Sequence, residues 1–211
     1  MRSFDYIESG KTLLTPHTTS LLAAIHEAKG RQSIQTTIRP DILGTLVAVA
    51  RIQSTDASNR IEGISTSDSR LNDLVSEKVT PRNRNEEEIA GYRDALSVIH
   101  ESHDYIPITP NVILQLHRDL FRHTPLPFAG LFKDSDNVII ERDAHGTSTV
   151  RFAPPSALVT PELIERACSA YTQAIRDGHT DPLLAIAMFI LDFICIHPFN
   201  DGNGRMSRLL T

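Results

Sequence analysis

Tryptophan is absent from this 211-residue chain and cysteine occurs only twice. Cys168 and Cys195 lie in separate helical stretches, which argues against a disulfide scaffold and fits reduced core thiols of a cytoplasmic protein. Neither has company at zinc-site spacing. No long uninterrupted apolar run occurs. The most apolar stretch, residues 182–196, is broken by Asp192 and is too short to span a bilayer, so no membrane partner is expected. The N-terminus carries Arg2 and Lys11 but no continuous apolar segment, so it does not read as a secretory signal. Internal repeats and low-complexity segments are lacking. A surplus of positive charge is lacking too: the formal net charge is −5, which argues against a general nucleic-acid binder. Hydrophobic content is ordinary at 40%, and the length suffices to bury one sizeable core.

What is present reads as helix. Three pairs, Thr109-Pro110, Thr160-Pro161 and Asp181-Pro182, place proline at the first helical position after a capping residue. The first opens a helix with Ile113, Leu114, His117, Leu120 and Phe121 on one face, which makes His117 a packed residue rather than a catalytic one. The second opens a helix over 162–177 closed by Gly178. The third opens a helix so apolar all round that it is expected at the buried centre of a bundle. Upstream, the pattern predicts helices over 19–29, 40–52, 56–62, 67–77 and 86–101, with 81–85 as a polar connection. Glu86, Glu87 and Glu88 read as a solvated first turn that complements the helix dipole. Asp192 reads either as a satisfied buried carboxylate or as a support for the loop that follows it. The remaining histidines, His100, His103, His123, His145 and His179, form no metal pattern. One segment, 132–155, departs from the helical period: Val138-Ile139-Ile140 and Thr149-Val150-Arg151-Phe152 flank the turn residues Asp143 to Thr147, as in a β-hairpin.

The richest chemistry lies in residues 197–208, His-Pro-Phe-Asn-Asp-Gly-Asn-Gly-Arg-Met-Ser-Arg. Gly202 and Gly204 permit positive φ and close approach of backbone to a ligand, and Asn203 tolerates a left-handed conformation between them. The N–H groups of such a turn at a helix start make an anion site. Arg205 and Arg208, at i and i+3, are expected on one helix face with both guanidiniums directed at phosphate oxygens. Asp201 is a hard oxygen ligand suited to Mg²⁺ on a phosphate substrate. His197 is the group there whose ordinary pKa lies near neutral, so it is the candidate general base.

This run resembles the Fic family motif, His-x-Phe-x-Asp/Glu-Gly-Asn-Gly-Arg-x-x-Arg, matching at His197, Phe199, Asp201, Gly202, Asn203, Gly204, Arg205 and Arg208. The resemblance implies an all-α, Fic-type helical bundle with a small β-hairpin flap. It also implies an activity: protein adenylyl transfer (AMPylation), in which AMP moves from ATP to a hydroxyl side chain of a target protein and pyrophosphate leaves. His197 would deprotonate the hydroxyl, Asp201 would hold Mg²⁺, and residues Gly202 to Gly204 would cradle the phosphates. Arg205 would hold the α/β end and Arg208 the γ-phosphate, with Phe199 packing the loop into the core. The flap residues Val138, Ile139 and Ile140 would align the target segment by strand addition. ATP, Mg²⁺ and a hydroxyl-bearing target protein are the implied partners, and a homodimer is compatible with the resemblance.

A second match lies upstream. Ser58-Asn59-Arg60-Ile61-Glu62-Gly63 resembles the family's inhibition motif, Ser/Thr-x-x-x-Glu-Gly/Asn. By that resemblance Ser58, Glu62 and Gly63 form a brake in which Glu62 pairs with Arg208. Physically, a carboxylate there competes with phosphate for the same guanidinium and repels a triphosphate. The division expected is an N-terminal helical region, 1–80, carrying the brake at 58–63, and a Fic core, 81–211. Related domains continue past the motif with further helices. Two expectations therefore stand: a shortened chain with an incomplete adenine pocket and a fraying last helix, or a piece of a longer protein. Three activities stay open: an auto-inhibited AMP-transferase, a deAMPylase in which Glu62 helps water remove AMP, and a non-catalytic nucleotide-binding or interaction module. A kinase-like activity is disfavoured because such relatives have lysine where Gly204 stands.

Overall fold

The structure, a computed structural model, describes residues 4–38, 40–142, 146–176 and 178–211, and the side chains of 33–43 lie outside that description. Among the described residues there are nine α-helices, α1 (Tyr6–Leu13), α2 (Pro16–Ile38), α3 (Pro40–Ile61), α4 (Asp68–Val75), α5 (Arg84–Ser102), α6 (Pro110–Leu120), α7 (Thr160–Arg176), α8 (Pro182–Ile196) and α9 (Asn203–Leu209), and one hairpin of β1 (Ile139–Arg142) and β2 (Ser148–Phe152). The chain is a helical bundle with a small hairpin, as expected. None of these helices is long and apolar enough to cross a membrane.

Local chemistry sets most boundaries. The Thr109 hydroxyl accepts the Val112 N–H (3.3 Å) and the Asp181 carboxylate accepts the Leu183 N–H (2.9 Å), each just ahead of the proline that begins its helix. Helix α7 begins at Thr160 itself, because a 3-10 turn over Ala157–Val159 feeds directly into it. Gly178, at φ +65°, follows its end, and the expected last residue, Asp177, lies outside the described residues.

Three expectations need correction. Residues 40–61 form one helix rather than two. No glycine or proline interrupts 53–55, and Thr55, Ser58 and Asn59 are all buried on the inner face of α3. Helix α1 was not foreseen; its Tyr6 hydroxyl donates to one oxygen of the buried Asp192 carboxylate at 2.9 Å. Helix α8 is not enclosed: Leu183 and Leu191, eight residues apart on one stripe, are exposed, while Ala185, Phe189, Phe193 and Ile196 face the core.

The main core joins α5, α6, α7, α8 and α9 around Tyr92, Leu120, Phe121, Ile164, Phe189, Phe193, Phe199 and Met206. Met206 and Leu209 seat α9 in that core rather than leaving it to fray. A smaller cluster, Leu71, Leu74, Val75 and Ile89, ties α4 to α5. Cys168 is buried in the main core, where loss of solvation pushes its thiol up to about 12, and neither cysteine is in a disulfide. Strands β1 and β2 pair antiparallel, Ile140 opposite Val150 and Arg142 opposite Ser148, with a register irregularity after Ile139. Val138 precedes the strand, and the turn residues Asp143, Ala144 and His145 lie outside the described residues.

Helices α5 and α6 cross where α5 has no side chain: a Cβ on Gly91 would run into the Leu120 carbonyl, a backbone atom that cannot swing away. Gly91→Ala is expected to lower stability by about 1–3 kcal/mol through overpacking, read as a lower denaturation midpoint with unchanged m-value.

Candidate functional site

The site is built where α8 ends and α9 begins. Apolar residues on α8 run the chain out of the core to His197, which takes a left-handed conformation (φ 52°, ψ 63°) and stops the helix. Phe199 then turns back and is fully buried. The loop between is closed on itself: Asn203 Oδ1 accepts the Phe199 N–H (2.9 Å) and Asn203 Nδ2 donates to the Phe199 carbonyl (2.8 Å). Gly202, at φ +82°, reverses the chain into α9, and a Cβ there would strike the Phe121 ring.

Two of the expected glycine-turn features therefore differ. Asn203 and Gly204 are helical, not left-handed, and lie in the first turn of α9. The Asn203 side chain is bonded inside the loop, to the Phe199 backbone. Gly204 serves another contact, since a Cβ on it would collide with the Glu62 carboxylate.

The two arginines also part company instead of sharing a phosphate-facing side. Arg205 is 1% exposed. Its Nη1 donates to Glu88 Oε2 (2.7 Å), its guanidinium carbon lies 4.9 Å from the Phe121 ring centre, and Arg84 donates to the other oxygen of Glu88 (2.8 Å). Arg208 emerges at the opposite edge toward α3. Its Nε donates to the Ser58 hydroxyl (2.7 Å), and its Nη2 donates to the Ser58 carbonyl (3.0 Å) and to Glu62 (2.6 Å). Glu62 lies just past α3, where Gly63 at φ +77° ends the helix and its N–H reaches the Arg60 carbonyl. The residues from 58 to 63 and the motif, about 140 positions apart in sequence, are thus in direct contact.

Glu86 and Glu88, expected in a solvated turn, are buried because each has an arginine: Arg70 donates to Glu86, holding its carboxyl down at about 2, and Arg205 donates to Glu88. Neither partner could be paired from local sequence. Asp201 is half-exposed; its Oδ1 accepts the Gly202 N–H (2.6 Å) and stands 3.8 Å from Arg205. No cluster of three metal-ligating side chains exists among the described residues.

The environment of His197 favours the neutral ring. Burial lowers its pKa most, the Lys133 charge lowers it further, and the Ile194 carbonyl opposes both. Its Nδ1 is enclosed by the protein. Two supports were not foreseen as such. His117 is fully buried and stacks on Phe199 (centroids 3.7 Å apart, planes at 4°); its Nδ1 accepts the Gly130 N–H (2.9 Å), so its Nε2–H donates to the Asp201 carbonyl (3.1 Å). Lys133, also buried, reaches the end of α8. The hairpin is fastened beside the loop by Asn137 donating to the Phe199 carbonyl (3.3 Å) and by Asn200 donating to Asp134 (3.2 Å), while Val138 and Ile140 remain exposed.

The Fic/DOC family model matches residues 107–211, which include the hairpin and the whole loop. The chain carries a Fic/DOC domain. Its sequence is 38% identical over 80 residues to a Fido domain-containing protein of Dictyostelium discoideum, a stretch covering 36% of this chain and 51% of that protein. The fold matches a Fic domain-containing signaling protein from Bacteroides thetaiotaomicron (TM-score 0.70, 25% identity, 81% of this chain and 64% of that one). It also matches a Fic family protein from Desulfovibrio desulfuricans (TM-score 0.71, 22% identity, 93% and 56%), a likeness of fold alone. The chain thus spans about half to two thirds of the length of these relatives. Fic-domain proteins are generally enzymes that transfer a nucleotide monophosphate to proteins. In this Fic domain the loop and α9 carry the motif, while Ser58 to Gly63 lie upstream of the matched residues.

Two outcomes follow from the buried supports of the Fic loop. Glu88→Ala strands the Arg205 cation and is expected to cost about 3–5 kcal/mol in denaturant unfolding. The His117 ring, its pKa lowered to about 4 from 6.5 chiefly by burial, stabilises the fold as the neutral form. That contribution is whole above pH 6.5 and is lost as pH falls toward 4, on the order of 3 kcal/mol. His117→Gln is expected to flatten the stability-versus-pH slope across that window, measured by urea titrations at a series of pH values.

Proposed function

We propose that this chain is a self-restrained protein AMP-transferase, using ATP and Mg²⁺ to modify a hydroxyl side chain of a target protein. The observation that carries this reading is the contact between the two motifs: Glu62 and Ser58 occupy the guanidinium of Arg208, on the helix that, with the loop before it, holds every residue of the transfer motif. In this reading the target hydroxyl approaches His197, whose neutral imidazole takes the proton as the oxygen attacks the α-phosphorus of ATP. A new O–P bond forms, the α–β bridging bond breaks, and pyrophosphate leaves with the electron pair. Little covalent help is needed; position and charge neutralisation lower the barrier. Asp201 would hold Mg²⁺, which neutralises phosphate charge when bound.

The backbone of the Gly202–Gly204 turn and Arg208 receive the β/γ end. Arg205, being spent on Glu88, acts by fixing the loop. While Glu62 stays on Arg208 it both competes with the γ-phosphate and places negative charge where the phosphate must sit. The paired edge of the hairpin leaves each strand one open edge, and strand addition there aligns the target segment with little demand on its sequence.

Incubation of wild type, Glu62→Gly and Glu62→Gly/His197→Ala with α-phosphate-labelled ATP, Mg²⁺ and a cell lysate tests the reading. Label on protein is expected to rise in Glu62→Gly and to fall by about 10²–10⁴-fold when His197 is also removed. Equal labelling with and without Glu62 would remove the brake. Glu62-dependent release of AMP from a modified target would mark a deAMPylase, and ATP binding without transfer in any form would leave a binding module.

A further inference from the structure

The Lys133 ammonium lies at a junction that the motif does not describe. It is buried, yet it meets oxygen from three separate segments: Asn137 Oδ1 (3.1 Å) just before β1, the Pro155 carbonyl (2.8 Å) just after β2, and the Ile196 carbonyl (3.2 Å) at the end of α8. Its own N–H donates to the Pro198 carbonyl (2.8 Å). The cation therefore ties both legs of the hairpin to the residue before His197, and the backbone of the same lysine holds the residue after it. Three donors, the full capacity of an ammonium, meet three acceptors. The charge also sits against the negative end of the α8 dipole, where a cation is stabilising.

We propose that Lys133 is a positioning residue for the transfer reaction, holding the target-aligning hairpin and the base in one fixed relation. This rests on the transferase reading above. Burial is costly for a lysine, and solvent would satisfy it more cheaply. Its retention inside is explained by the geometry it enforces: a target strand added to the hairpin edge is useful only if the hairpin is registered to His197. The charged groups about the loop are Lys133, Asp134 and Asp136 from the segment before β1, Asp192 from α8, and Asp201 and Arg205 from the loop and α9. Among them it is the charge of Lys133 that acts on His197, and Asp136 in turn acts on Lys133.

The test uses Lys133→Met and Lys133→Arg in the full chain carrying Glu62→Gly. In Lys133→Met the His197 ring is expected to titrate at higher pH by NMR, because a neighbouring cation is gone. Transfer efficiency is expected to fall about 10²-fold, as for a misplaced reacting group. That loss should fall on kcat and on KM for the target, with KM for ATP unchanged. Lys133→Arg, which keeps the charge, should return the His197 titration toward wild type. An unshifted His197 titration in Lys133→Met, or an equal loss in the KM for ATP and for target, overturns the proposal. Should Lys133→Met not fold, Asn137→Ala decides: it loosens one hairpin leg and leaves the ammonium in place, so a raised target KM with an unshifted His197 supports the role, and an unchanged target KM ends it. Lack of transfer by Glu62→Gly itself would defeat the transferase reading instead; the His197 titration needs no turnover and still decides whether Lys133 governs the base.

Discussion

The buried pair of Arg205 and Glu88 is the constraint on which the site depends. A guanidinium enclosed in a helical core has to be paired, and the carboxylate that pairs it belongs to α5, far away in sequence. Once Arg205 is pinned to that side, the rotation of α9 is fixed. Arg208, three residues on, then emerges at the other edge, in reach of α3 rather than of α5. The Gly202 reversal, which feeds α9, is fixed by the same pair through the Phe121 ring, which contacts both the guanidinium and the glycine. The two arginines of the motif thus part, one held in the core by Glu88 and one held at the α3 side by Ser58 and Glu62.

The loop ahead of α9 is made rigid by partners from every side. Asn203 closes it on itself, Phe199 plugs it into the core, and His117 supports it from α6 by stacking and by its bond to the Asp201 carbonyl. Rigidity is what a reaction dominated by positioning requires. Glu62, partly exposed just past a helix end and held by Arg208, contrasts with this.

How much of this was legible in the sequence depends on the range of the interaction. Proline and cap pairs at Thr109-Pro110 and Asp181-Pro182 act within four residues, and those helices begin where expected. The β-branched runs around Gly146 gave the hairpin for the same reason. The motif was legible as a set because its residues are contiguous. Its internal division was not: nothing near Arg205 announces Glu88, and Asn203 looks as suitable for a left-handed turn as for a side-chain clamp. Glu86 and Glu88 resembled solvated residues because the buried arginine of Glu88, Arg205, lies 117 positions away and Arg70, the partner of Glu86, lies 16 away, although Arg84 also reaches Glu88 from four residues upstream. His117 and Lys133 carried no local signal of function, since each acts through backbone carbonyls brought close only by folding. The break expected at 53–55 is absent because polar Thr55 is buried on the inner face of a continuous helix, a burial set by tertiary contact.

That α3 is one helix has a mechanical consequence. At about 1.5 Å per residue its 22 residues make a rod of about 33 Å. Its C-terminal half rests on α4 and α5, with Arg51 bonded to Ser97, while Gly44 to Ala50 stand in solvent. Because Thr55, Ser58 and Asn59 are buried along its inner half, the solvated outer arm and the end that carries Glu62 belong to one continuous body, which two short helices joined at 53–55 would not be.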